Sequence, residues 1–291
     1  MNRSSILSIT ELLENCDNET FNMIVEQFKK DEDSHAVCTL KKMWFDTRNL
    51  DLKYKLEKLI NTLQYKEIEM EIKLWKNSSD KDLFGLFLSL NKIEYRFDDQ
   101  RFMLENFERL KNDIWLELSD NLTPLEQFSV INHMFFKEYG FVVVDGTESI
   151  MSSYMSTVLE YRKGSIYAIA MLYLIVARRL GIDVSFVNYI DYPLLAFVDT
   201  DVARLVYSNS NNYSPIIFYI DIGAQGKIIS RGQMDETLSD RSIRNAHKYK
   251  DICSDMLIVS KFLENLGSIY KKRKQNDKLE DVTSAYQLLM S

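Results

Sequence analysis

Residues that interrupt helices are scarce in this chain: only 9 glycines and 3 prolines punctuate its 291 residues. Because these two residue types most strongly disfavour a helix interior, long stretches meet no obstacle to helix formation. Apolar residues make up 46% of the chain, enough to fill one large core or two ordinary ones. The sequence therefore predicts a mostly α-helical globular protein and argues against a disordered or all-β chain.

The first part of the chain, residues 6–75, has apolar residues at helical spacing, separated by polar turns. This pattern predicts short amphipathic helices, and their pairing resembles a HEAT-like array. A second helical stretch is predicted over residues 82–118. Thr123, Pro124 and Glu126 then form a capping-box start for a further helix, which Gly140 is placed to end.

The periodicity changes after Ile182. Short β-branched and aromatic runs predict strands of one small antiparallel sheet, over residues 184–187, 194–198, 205–207 and 216–220. The apolar run before them, residues 166–177, is too short to span a bilayer and predicts a buried central helix packed on that sheet. Helices are predicted again from about residue 241, ending in an antiparallel pair like a tetratricopeptide hairpin.

The net charge of the chain restricts the classes of partner that it can bind. A formal charge of −7 disfavours attachment of the whole protein to nucleic acid or anionic lipid, which needs a dense basic surface. The only hint of a basic site is one run near the C-terminus: Lys271, Lys272, Arg273 and Lys274. Its simpler interpretation is a solvated helix end that complements the helix dipole. Another protein is the expected partner, without membrane insertion.

The number and spacing of the cysteines indicate a reducing cellular compartment. Cys16, Cys38 and Cys253 are odd in number and far apart, so they predict neither a disulfide framework nor a metal half-site. No apolar signal segment is seen at the N-terminus and no Gly-rich phosphate loop occurs. We therefore expect a cytoplasmic protein with no metal and no cofactor, in which the cysteines have no catalytic role.

Several strings of the sequence occur in the same order in one known family. They are DIWLEL (113–118), NLTPLEQ (121–127), SSYMSTVLEYRKG (152–164), ARRLG (177–181) and FYID (218–221). They resemble D-I-W-x-E-L, N-L-T-P-L-E-Q, N-S-Y-L-x-x-V-L-E-R-R-x-G, A-x-R-L-G and F-Y-I-(D/N) of the bacterial SirB-type transglutaminase-like family. The resemblance implies an α+β fold with a papain-like core at residues 111–235, a HEAT-like helical region at 1–110 and TPR-like helices at 236–291.

The resemblance also locates three positions on which chemistry would depend. In transglutaminase-like thiol enzymes a cysteine begins the central helix, where the dipole favours the thiolate, and a histidine and an aspartate act as base and orienting group. Here Ile166 stands at the cysteine position, Tyr192 at the histidine position and Asp221 at the aspartate position. SirB-type relatives have proline at the first position and serine two residues later, but that later residue is Ala168 here. The resemblance therefore implies a degenerate triad with no catalytic residues expected.

Neighbouring polar residues could form a pocket at this place: Ser165, Tyr167, Asn188 and Asp191. The simpler interpretations are that Ser165 is a helix N-cap, that the tyrosines are core packing, and that Asp221 ends a strand in a polar turn. If the three positions converge, the buried Tyr192 hydroxyl should seek a partner, and Asp221 is the natural acceptor.

Three functions stay open from the sequence. The first is a non-catalytic transglutaminase-like protein that acts as an interaction or scaffold module. The second is a hydrolase or peptide-modifying enzyme with an unconventional nucleophile, using Ser165 or Tyr192 with Asp221. The third is a nucleic-acid-associated factor that uses the basic run at residues 271–274.

Overall fold

The computed structural model describes residues 12–30, 35–95, 100–144, 150–189, 192–207, 214–240 and 251–291. The chain divides into two compact units, one formed by residues 1–98 with 280–291 and the other by residues 99–279. Within the described ranges, no helix is long and apolar enough to cross a membrane. The predicted Asp191 and the N-terminal residues before position 12 lie outside the described residues.

The first unit is helical, as its apolar spacing predicts. Its helices are α1 (Asn18–Lys30), α2 (His35–Asp46), α3 (Leu50–Asn77) and α4 (Leu83–Asn91). Asn49 begins α3, since its side chain accepts hydrogen bonds from the first-turn amides of Asp51 and Leu52. Leu56, Leu59 and Ile60, spaced three and four residues apart, are fully buried on the inner face of α3.

The second unit contains the other helices and all the strands that the structure describes. Its helices are α5 (Gln100–Glu117), α6 (Pro124–Asn132), α7 (Met155–Tyr161), α8 (Ile166–Arg179), α9 (Thr200–Tyr207), α10 (Arg231–Asp240) and α11 (Asp255–Lys272). The last helix, α12 (Asn276–Met290), has residues 276–279 in this unit and residues 280–290 in the first. The strands are β1 (Val142–Val143), β2 (Lys163–Gly164), β3 (Val184–Tyr189), β4 (Tyr192–Val198), β5 (Ile216–Asp221) and β6 (Lys227–Ser230). Strands β3 to β6 form an antiparallel sheet in chain order, and β1 pairs with β2 in parallel.

The predicted capping box is confirmed at the start of α6. The Glu126 amide donates to the Thr123 hydroxyl (3.4 Å), and the Thr123 amide donates to the Glu126 carboxylate (2.8 Å). After α6 the chain continues through a π-helical turn, His133–Glu138, which the sequence did not predict. Gly140 follows with a φ of +68°, the left-handed conformation that glycine adopts without strain.

One expectation is wrong. The run at residues 205–207, predicted as a strand, forms the end of α9, because Asp199 caps that helix by accepting from the amides of Asp201 (3.0 Å) and Val202 (2.9 Å). Leu205 is 82% exposed and gives α9 an apolar residue on its outer side. The helical stretch predicted over residues 82–118 contains two helices, α4 and α5.

Both faces of the sheet are covered, which explains the continuous apolar run in β4. Leu194 and Ala196 face a cluster that includes Met234 and Leu238 of α10. Phe197 points to the opposite face, where Phe128 of α6 packs against it and Phe218. A strand buried on both sides needs apolar residues at every position instead of alternate ones.

A buried polar network joins three elements of the second unit. The Tyr173 hydroxyl of α8 donates to Asn132 Oδ1 at the end of α6 (2.8 Å), and Asn132 Nδ2 donates to the Gly226 carbonyl between β5 and β6 (2.8 Å). Burial raises the pKa of Tyr173 far above its ordinary value, so its hydroxyl stays protonated as a donor. The network holds the β5–β6 turn against the two helices.

Candidate functional site

The central helix α8 begins at Ser165, as the sequence predicts. The Ser165 backbone is extended (φ −61°, ψ 157°), and its Oγ accepts a hydrogen bond from the Ala168 amide at 3.3 Å. The residue is 8% exposed, so this hydroxyl has little access to solvent. Ser165 therefore serves as the N-cap, and Ile166 and Tyr167 occupy the first turn of the helix.

Tyr192 and Asp221, the two polar residues at the predicted triad positions, lie side by side at one end of the sheet. Tyr192 is the first residue of β4 and Asp221 the last residue of β5, and antiparallel pairing brings these strand ends together. The Tyr192 hydroxyl donates to Asp221 Oδ1 at 2.6 Å. The same carboxylate oxygen accepts from the Ala224 amide at 3.2 Å, so Asp221 holds both the tyrosine and the turn that follows β5.

The side chain of Ile166, in the first turn of α8, extends to the same region as Tyr192 and Asp221. Gly223 is surrounded there: a Cβ added to it would lie 2.2 Å from the Tyr192 hydroxyl, 3.2 Å from Ile166 Cδ1 and 3.4 Å from Asp221 Oδ1. The three side chains therefore border one small volume, and Gly223 is the residue without a side chain that leaves room for them. Gly223 was not predicted as a site residue, because its only signal in the sequence is a glycine two residues after a strand-ending aspartate.

Of the four predicted pocket residues, two have described side chains. Ser165 is the helix cap, and Tyr167 lines a pocket described below. For Asn188 only the backbone is described, opposite Pro193 in the β3–β4 pairing. Asp191 lies outside the described residues, so both predictions about these last two side chains stay untested.

The chemistry open to this arrangement is limited by its residue types. A phenol has an ordinary pKa of about 10, so it cannot serve as an efficient general base near neutral pH. Isoleucine offers neither a nucleophile nor a proton. Within the described part of the chain, no group of three or more His, Cys, Asp or Glu side chains is placed to hold a metal ion. What the geometry does provide is a hydrogen-bonded polar pair beside an apolar side chain.

A pocket lies beside this pair and shares Tyr192 with it. Its lining comes from α8, β3, β4 and the chain around α11: Tyr167, Met171, Phe186, Val187, Tyr192, Pro193, Cys253, Ile258, Lys261 and Phe262. Most of these residues were missed by the sequence analysis. The usable signal was the spacing of Ile258, Lys261 and Phe262, which places them on one face of a helix.

Cys253 reaches the pocket because its segment adds to the free edge of the sheet. Its amide donates to the Phe186 carbonyl at 2.8 Å, and Ile252 pairs with Val187. The Cys253 side chain is 6% exposed, and this burial raises the pKa of its thiol, while the nearby charge of Lys261 lowers it by less. The raised pKa keeps this thiol protonated near neutral pH, and its burial limits its access to reagents.

The basic run at the C-terminus is placed at a helix end. Lys271 and Lys272 occupy the last turn of α11, and Lys274 follows with a φ of +57°. Cationic side chains at this end of a helix are stabilised by its dipole, which agrees with the simpler interpretation of the run.

We predict that replacing Tyr192 with phenylalanine lowers the free energy of unfolding by about 1 kcal/mol, the usual net contribution of one hydrogen bond. Urea denaturation of the wild type and of the Tyr192→Phe, Asp221→Ala and double variants would measure it. In the Asp221→Ala background the tyrosine hydroxyl has lost this acceptor, so Tyr192→Phe should then cost much less. Equal costs in both backgrounds would contradict the hydrogen bond as the source of the effect.

Comparison with known proteins supports the broader superfamily to which the family suggested by the sequence strings belongs. Residues 102–264, more than half of the chain, match the family model described as the Transglutaminase-like superfamily. The matched region contains the central helix, the four-stranded sheet and the place where Ile166, Tyr192 and Asp221 meet. The search of curated proteins and the search of solved structures found no match. On the strength of the family match and the helix-on-sheet core, the chain belongs to the transglutaminase-like superfamily.

Proposed function

We propose that this chain is a non-catalytic, SirB-type member of the superfamily that acts as an interaction module. The observation that supports the proposal is the hydrogen bond between Tyr192 and Asp221 beside Ile166. In a working thiol triad the aspartate would orient a histidine and the helix start would present a thiol. Here the aspartate holds a phenol, and an aliphatic side chain occupies the helix start.

The alternative of an unconventional hydrolase needs a nucleophile at the same place. Ser165 is the nearest hydroxyl to the helix start in sequence, but its Oγ accepts the Ala168 amide and the residue is buried. A serine nucleophile requires an adjacent base that accepts its proton. Asp221 is already bound to the Tyr192 hydroxyl and the Ala224 amide. These contacts favour a structural role for Ser165 over a catalytic one.

The proposed protein-binding role depends on the helical regions at the two ends of the chain. We propose that the HEAT-like region at residues 1–110 and the TPR-like helices at residues 236–291 present the surfaces for a protein partner, and that the core at residues 111–235 supports them. Arrays of paired helices commonly bind other proteins along their exposed faces. A pull-down from the native cell would identify that partner.

The proposal is tested by chemical labelling of the purified protein. Fluorophosphonate and iodoacetamide are added separately below stoichiometry, and adducts are located by intact mass and peptide digestion. We expect no fluorophosphonate adduct, and we expect iodoacetamide to modify the exposed Cys38 before the buried Cys253, whose pKa is raised. A rapid fluorophosphonate adduct on Ser165 or Tyr192 that consumes the added reagent, and that is lost in the Ser165→Ala or Tyr192→Phe variant, would overturn the proposal in favour of the hydrolase.

A further inference from the structure

The pocket beside Tyr192 is lined mainly by side chains from two helices, α8 and α11, and two strands, β3 and β4. Tyr167 and Met171 are one helical turn apart on α8, and Ile258 and Phe262 are one turn apart on α11. Phe186 of β3 also lines the pocket. Because the lining belongs to helices and strands, the pocket is part of the folded framework, which is typical of sites that bind small molecules.

The lining is apolar and rich in aromatic rings. Tyr167, Phe186, Tyr192 and Phe262 contribute rings, and Met171, Val187, Pro193 and Ile258 contribute aliphatic surface. Aromatic walls favour a flat aromatic body, because ring pairs gain energy beyond the area that they bury.

Lys261 is the one formally charged side chain among the described residues that line the pocket. Its side chain lines the same pocket as the Cys253 thiol. The residue is only partly exposed, so water shields its charge less than it would shield an exposed lysine. An ammonium has three donor hydrogens, which allows it to bind an anion in addition to an existing contact.

From these features we propose that the pocket binds a small aromatic monocarboxylate, with its ring between the aromatic side chains and its carboxylate on Lys261. A single cation matches a single negative charge. A phosphate dianion would bring a second charge to a lining that offers no second cation among the described residues. Binding at this pocket does not depend on whether the neighbouring triad positions are catalytic, since no bond is made or broken.

The test compares a carboxylate with an uncharged molecule of similar shape. Binding of 1-naphthaleneacetate and of 1-naphthaleneethanol to the full-length protein is measured by isothermal titration calorimetry. The variants are Lys261→Met, Lys261→Arg and, as a control on the same helix, the exposed Lys272→Met. The alcohol reports whether the apolar part of the pocket is intact in each variant.

We expect the wild type to bind one equivalent of the carboxylate about tenfold or more tightly than the alcohol, the size of effect that a hydrogen bond to a charged group produces. Lys261→Met should remove this preference while alcohol binding persists, and Lys261→Arg and Lys272→Met should retain it. The proposal would be overturned if the wild type shows no saturable binding of the carboxylate. It would also be overturned if the preference survives in Lys261→Met.

Discussion

Replacing Phe128 with alanine is expected to lower the free energy of unfolding of the second unit by about 4 kcal/mol, the range found for removal of a buried phenylalanine. Phe128 is fully buried, and its ring packs edge-on against Phe197 and Phe218, with centroid distances of 5.5 and 5.2 Å. The change removes the ring that joins α6 to two central strands and leaves a cavity between rigid neighbours. Urea denaturation followed by circular dichroism would measure the loss.

The matched control is Leu125→Ala, on the same helix and three residues earlier. Leu125 is 57% exposed, so its truncation should change the free energy of unfolding by less than about 0.5 kcal/mol, as surface substitutions usually do. A similar loss for both variants would show that the effect comes from the helix itself and would contradict the packing argument for Phe128.

Gly226→Ala is expected to destabilise the same unit by about 3 kcal/mol, because two costs coincide there. Gly226 has a φ of +77°, a conformation that strains any residue with a Cβ. That Cβ would also lie 2.0 Å from Asn132 Oδ1 and 2.4 Å from its Cγ. Asn132 would have to move, which would break its hydrogen bonds with the Gly226 carbonyl and the Tyr173 hydroxyl.

The Gly181→Ala variant separates the cost of backbone strain from the cost of displacing Asn132. Gly181 has a φ of +79°, nearly the same as Gly226, but a Cβ there would meet no atom within 4 Å. Backbone strain alone should therefore cost about 1 to 2 kcal/mol at Gly181. If thermal or urea unfolding places both variants at the same stability, the Asn132 network contributes nothing measurable and the second cost does not exist.

Local signals were enough to predict the elements whose ends are set by neighbouring residues. The start of α6 follows from Thr123, Pro124 and Glu126, and the start of α8 follows from Ser165, because each cap binds amides within three residues of itself. The strand β4 was predicted from its apolar run. In all these cases the deciding interactions are close in sequence, so the pattern is readable without the fold.

Prediction failed where a distant or less visible interaction decides the structure. Residues 205–207 have strand-forming side chains, but the cap at Asp199 starts a helix that continues through them. Strand β6 (Lys227–Ser230) is short and polar at both ends, and it exists because the turn after Asp221 folds it back onto β5. Three or four residues are too few to distinguish a helical from a strand period.

In the candidate site, too, one feature could be predicted from the sequence and another could not. The contact between Tyr192 and Asp221 could be expected, because both positions were assigned from aligned strings that end neighbouring strands. The pocket could not be expected, since Cys253 and Lys261 come from a segment more than fifty residues further along the chain than Tyr192. Only the pairing of that segment with the edge of β3 brings them to Tyr167 and Tyr192.

The packing of the sheet and its turn draws on residues other than Ile166 and Tyr192. Phe128 packs against Phe197 and Phe218, and Asn132 donates to the Gly226 carbonyl. These contacts stabilise a transglutaminase-like framework without involving the side chain at position 166 or 192.

The central claim is that positions 166, 192 and 221 are the places of a thiol triad, and it is tested by building that triad. The starting protein has Cys16→Ser, Cys38→Ser and Cys253→Ala, so that a thiol introduced by Ile166→Cys is the only one present. The rate of alkylation by iodoacetamide is then measured from pH 5 to 10, with Tyr192 retained and with Tyr192→His added. The rate follows the thiolate fraction, so the profile gives the pKa of the introduced thiol.

The account predicts that Tyr192→His shifts this profile to lower pH by one pH unit or more, about 1.4 kcal/mol, because a protonated histidine beside the helix start favours the thiolate. Adding Asp221→Asn should reverse part of the shift, since Asp221 would orient and stabilise that histidine. Identical profiles with tyrosine and histidine at position 192 would contradict the assignment of these three positions.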